Sequence, residues 1–182
     1  MRAALWYHGL QEELMQPHYL VSQLRFTRSE FRRGLEGVTD AEALQRFGAM
    51  NSISWIVGHL ANQENRYWGL FAQNRDLLPE LNAKVGFNQP ASTPPLKEMW
   101  QAWHTATYAA DAYLDTLTPA KMQTFFTSND KKFTENIGTM LMRCIHHYWY
   151  HLGEASAIRQ SLGHTDLPVF VGDMSERMYH PE

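Results

Sequence analysis

Four long stretches of this 182-residue chain repeat their apolar residues at three-, four- and seven-residue intervals, with prolines and glycines gathered between them. A chain punctuated in this way buries its apolar faces by laying helices against one another. The first stretch runs from about Pro17 to Leu35, with Leu20, Leu24, Phe31 and Leu35 on one face. The second, about Ser52 to Ala72, aligns Ile56, His59, Leu60, Gln63, Tyr67 and Leu70 in a stripe that is apolar except for His59 and Gln63. Pro94 and Pro95 open the third, which reads to about Leu117 and turns Leu96, Trp100, Trp103, Thr107, Ala110 and Leu114 inward. The fourth is the longest, about Thr134 to Leu162, and Gly163 stands where a helix-ending glycine belongs.

Strand signals are nearly absent. Residues 125–133 suggest a small hairpin around Asn129 and Asp130, and Thr39 to Glu42 has the spacing of a capping box. The expectation is an all-α fold, a four-helix bundle, in a single domain over residues 1–182 with its core at about 17–163 and an irregular tail at 164–182. The loop from about Asn74 to Thr93 is long enough to permit a non-sequential helix order.

The 16 basic and 19 acidic residues are spread along the chain, which gives no clustered surface for nucleic acid or for a membrane. No segment approaches the roughly 20 apolar residues of a membrane span. The opening MRAALWYHGLQEELM lacks a signal-peptide core, so cytoplasmic residence is expected. The single cysteine, Cys144, excludes an intramolecular disulfide and a Cys-based zinc site by count.

Three of the nine histidines fall within six residues, in IHHYWYHLGEASAIRQ. On the fourth helix His147 and His151 share the inward stripe with Ile137, Leu141, Cys144, Ala155, Ile158 and Leu162. At this spacing their Cβ atoms lie roughly 5–6 Å apart, close enough for two imidazoles to converge on one ion. Two adjacent buried imidazoles with no shared partner pay desolvation twice, whereas a divalent cation satisfies both lone pairs. His59, near the middle of the second helix, supplies a third nitrogen from across the bundle. His146 is rotated by about 100° from His147 and should leave the site. Three histidines without a further protein ligand leave positions open, as in catalytic rather than structural sites.

The segments SISWIVGHLANQENRYW and IHHYWYHLGEASAIRQSLG, in that order, resemble the DinB/YfiT-like family. That resemblance implies a four-helix bundle whose metal is held by one histidine of the second helix and an HxxxH pair of the last. On it, His59, His147 and His151 are the metal ligands, and Arg159 and Gly163 match a further Arg and Gly of the motif. The likeness runs from about His18 to Gly163. Glu154 departs from it, because family members often carry Gln there; it is either a hydrogen-bond partner behind a ligand or a surface residue. The metal implied is divalent, with Zn, Ni and Fe all suited to imidazole.

The reaction stays open between classes. Characterised relatives include enzymes using low-molecular-weight thiols, such as mycothiol-dependent maleylpyruvate isomerase and bacillithiol transferases, while others resemble metal-dependent hydrolases. The resemblance implies a small-molecule substrate and a homodimer. The competing class is a non-catalytic bundle that binds a metal or a ligand. Other chemistries lack their residues: no Glu precedes a His by three positions as a di-iron bundle needs, and HExxH and GxSxG are absent. Haem ligation would leave one imidazole of the HxxxH pair unexplained. Gln63 is a candidate to orient a ligand or a water, and Cys144 a possible soft ligand or a small core residue. Glu64 is rotated away from the histidines. Trp55, Tyr67, Trp68, Tyr148, Trp149 and Tyr150 crowd the same segments as core, dimer surface or pocket wall. His8, His18, His104, His164 and His180 lie outside the pattern, with His18 or His104 candidates for the pocket mouth.

Overall fold

The computed structural model describes residues 17–128, 130–169 and 171–175. His8, His180 and Asn129 of the expected hairpin turn lie outside them. Helix α1 spans Tyr19–Gly34 and starts at His18, whose Nδ1 accepts a bond from the Leu20 N–H at 3.2 Å. The one-turn α2, Asp40–Ala43, carries the expected capping box between Thr39 and Glu42. Helix α3, Ile53–Glu64, is capped by the Ser52 hydroxyl and runs on as a wider π-helical segment, Asn65–Phe71. The expected loop contains a short helix, α4, Leu81–Val85. Helix α5 spans Leu96–Leu114 and the short α6 Pro119–Met122. The hairpin is present as antiparallel β1, Thr127–Ser128, and β2, Lys131–Lys132.

Helix α7, Ile137–Ser161, begins at Asn136, whose side chain accepts from the Thr139 N–H. It ends as the sequence suggests: Gly163 adopts a φ of +90°, its N–H bonds the Gln160 carbonyl, and His164 reaches back to the Arg159 carbonyl. Those two bonds satisfy carbonyls that a helix end otherwise leaves bare.

The long helices α1, α3, α5 and α7 form an all-α bundle. Helix α3 packs chiefly on α5 and α1 on α7, while α7 also packs on α3. The last helix is thereby shared between the first two long ones.

Two details correct the periodicity. Helix α3 is buried on every side from Ile53 to Asn62, and again at Glu64, because α4, α5 and α7 surround it. Beyond Glu64 the π-helical turn shifts the phase, so Trp68 and Gly69 are buried where Tyr67 and Leu70 were expected. On α5, Trp100 is only half-buried, and Met99, Ala102 and Ala106 fill the core beside Trp103.

A buried polar network joins all four long helices. Arg28 of α1 grips both carboxylate oxygens of Glu64 at 2.7 Å and donates to Asp111 of α5 at 2.8 Å. The Tyr148 hydroxyl of α7 donates to Glu64 at 3.0 Å and accepts from the Trp103 indole N–H at 2.7 Å. Burial opposes the Arg28 charge, but Glu64 outweighs it and holds the guanidinium protonated more firmly than usual. Burial, then the Glu64 charge, raises the Tyr148 phenol well above its ordinary range. Among the described residues no helix is long and apolar enough to cross a membrane.

Candidate metal centre

His59 on α3 and His147 and His151 on α7 converge, each offering a nitrogen within 4.8 Å of the other two. The Nε2 atoms of His147 and His151 are 3.0 Å apart, and the His59 ring lies edge-on to both at 5.0 and 5.2 Å between centroids. Each ring is fixed from behind through its Nδ1. His59 meets the Val85 carbonyl at 2.8 Å, His147 the Gln63 side-chain oxygen at 2.9 Å, and His151 the Glu154 carboxylate at 2.8 Å. All three partners are acceptors, so each Nδ1 carries its hydrogen as the donor. In the neutral rings the Nε2 lone pairs are then left facing one point, and two lone pairs at 3.0 Å repel unless a cation lies between them.

The electrostatics agree with that reading. Burial, offset partly by the Val85 bond, lowers the His59 pKa to about 4. Burial, with the neighbouring His151 and His59 rings, lowers that of His147 to about 3. Both rings are therefore neutral in neutral solution and available as ligands.

The neighbours that hold these rings come from four places in the chain. Val85 ends α4, and it can approach because residue 58 is glycine; a Cβ there would meet Met99 Sδ at 2.3 Å and the Val85 methyls at 3.2 Å. Gln63 lies one turn beyond His59 and also bonds the Tyr67 hydroxyl. Glu154 is half-buried and is itself held by the backbone and side-chain N–H groups of Asn51 at 3.3 and 3.0 Å. His151, through its Nδ1–H donation, and Asn51 hold the Glu154 carboxyl below its ordinary pKa. Buried Trp55 stacks on His59 at 4.3 Å between ring centroids.

His59 and His147 face a cavity of about 970 Å³, whereas His151 is buried behind them. His146 stays out of the cluster as its helical angle requires, yet it lines the same cavity. Cys144 is fully buried and outside the cluster, and burial raises its thiol pKa well above the ordinary value. Glu64 faces away from the histidines, but as the buried partner of Arg28. His18 caps α1, His104 is exposed beside Trp100 and Trp103, and His164 bridges Glu42 and Arg159. Arg159 also donates to the Gly34 carbonyl at 2.6 Å, so this motif arginine ties the ends of α1 and α7 together. Sequence spacing did not reveal Val85 or Asn51 as supports; both depend on contacts between separate elements.

An all-α bundle that turns three histidines toward one point beside an open cavity defines a helical protein with a candidate mononuclear metal centre. The chain belongs to the DinB superfamily, whose family model matches residues 23–155 and spans all three histidines. A crystal structure of a conserved protein from Enterococcus faecalis has the same fold, with a TM-score of 0.61 at 16% identity, covering 80% of this chain and 96% of that one. No curated protein matches the sequence.

Proposed function

We propose that the protein is a divalent-metal-dependent enzyme acting on a small molecule, with His59, His147 and His151 as ligands through Nε2. The observation that carries this reading is the commitment of every Nδ1–H to an acceptor, which leaves the Nε2 atoms, two of them 3.0 Å apart, to be satisfied by a cation. The donor set of three imidazoles fits Zn, Ni or Fe. Such an ion would supply Lewis acidity, making water or a substrate thiol acidic enough to react as a nucleophile near neutral pH. Val85, Gln63 and Glu154 hold the rings in one tautomer, and Trp55 packs flat against His59. A catalytic rather than structural role is supported by the exposure of His59 and His147 to the cavity, since a structural ion is normally enclosed.

Elemental analysis of protein purified without a histidine tag tests the reading. A stoichiometric divalent metal, lost in His147→Ala, is expected; protein without metal, unchanged by His147→Ala, would show the bundle to be metal-free. A panel of low-molecular-weight thiols with an electrophile then separates S-transferase or isomerase from hydrolase, because only the former conjugates in a metal-dependent way.

A further inference from the structure

The cavity in front of His59 and His147 bears Arg66 and Arg143 on its wall and, among the described residues, no Asp or Glu. That is a pronounced local bias in a chain whose formal net charge is −3. Arg66 follows Gln63 by three residues and Arg143 precedes His147 by four, while the 2.9 Å Gln63–His147 bond fixes where α3 and α7 meet. The two helices run antiparallel here, since Asn51 meets Glu154 and Gln63 meets His147. Both arginines therefore arise from the same level, roughly one helical turn or ~5 Å beyond the histidines.

The two cations are not equivalent. Arg143 is engaged in a two-point pair with Glu135. Arg66 is held by the Asn82 side-chain oxygen at 3.2 Å and lies over the Phe71 ring at 5.7 Å, and no carboxylate among the described residues pairs with it. It is a positioned guanidinium with donors to spare, and its fork matches a carboxylate. Exposed Phe87 and Met142 also line the cavity and offer an apolar surface. Imidazole ligands add no negative charge, so an incoming anion would balance both the ion and Arg66.

Resting on the metal reading above, we infer that this cavity takes a short bifunctional anion. One end carries a donor atom for the histidine centre, the other a carboxylate bound by Arg66, and a spacer of a few carbons lies against Phe87 and Met142. Arg143, neutralised by Glu135, is not needed for this binding.

Cobalt(II)-loaded protein titrated with β-mercaptopropionate, and separately with the mercaptopropanol of the same chain length, tests this through the thiolate-to-cobalt absorption band. The acid should bind about ten-fold or more tightly than the alcohol. Arg66→Gln should abolish that preference while leaving cobalt uptake and the affinity for the alcohol unchanged, and Arg66→Lys should restore only part of it. Equal affinities in the unsubstituted protein, or a preference that survives Arg66→Gln, overturn the anion subsite while the metal reading stands. Protein that takes up no cobalt overturns the metal reading, and the subsite with it.

Discussion

Replacing Tyr148 by Phe tests whether the buried network holds the bundle together. The side chain is fully buried, so water cannot replace what the hydroxyl provides. Two bonds disappear: the one donated to the Glu64 carboxylate at 3.0 Å and the one accepted from Trp103 Nε1 at 2.7 Å. A bond to a charged acceptor is worth about 1.5–3 kcal/mol, and a buried donor left without a partner costs about 1–3 kcal/mol. Together they predict a loss of about 2.5–6 kcal/mol, or a fall of about 5–25 °C in Tm for a chain of this length. Urea unfolding of metal-free protein measures the first and calorimetry the second.

The sharper test is a double-mutant cycle with Trp103→Phe. In the double variant no indole N–H remains to be orphaned, so the pair should be less destabilised than the sum of the single variants by at least about 1 kcal/mol. Additivity within about 0.5 kcal/mol, or a Tyr148→Phe loss below about 1 kcal/mol, would refute the reasoning.

Two further outcomes are expected. Glu154→Ala removes the acceptor behind His151, and metal affinity measured by chelator competition should fall about 10- to 100-fold; an unchanged affinity would mean that the carboxylate does not orient the ring. Bonds from the Thr39 N–H, then from His164, lower the Glu42 pKa from 4.5 to about 2, so its stabilisation is present above pH 4.5 and is lost as pH falls through about 2. The stability gap between the native chain and Glu42→Gln, from urea midpoints, should accordingly shrink over that interval, and a constant gap would contradict it.

The four long helices and the inward placement of His147 and His151 were legible because each depends on spacing within one helix. The capping box and the Gly163 helix end were legible for the same reason. What escaped depends on other kinds of information. A single π-helical turn resets the phase after Glu64, so a 3.6-residue repeat selects Tyr67 where the fold buries Trp68. The buried pairing of Arg28 with Glu64 and Asp111 was not legible, because nothing local shows that two carboxylates meet one guanidinium deep in the bundle, with Tyr148 donating to one of them. Val85 supports His59 through a backbone carbonyl, which any residue could supply. Glu154 lies between the two readings that spacing allowed, half-buried and bonded to His151.

The three rings are the same residue, yet their supports differ in kind: a peptide carbonyl behind His59, a side-chain amide behind His147 and a carboxylate behind His151. A carboxylate draws on the ring proton more strongly than a neutral oxygen and lends the imidazole part of the character of its anion. His151 is therefore the richest electron donor of the three and also the most enclosed, while the two leaner donors border the cavity. With an ion bound, the strongest donation would come from the interior and the weaker from the cavity side, a difference written entirely in atoms that would never touch the ion.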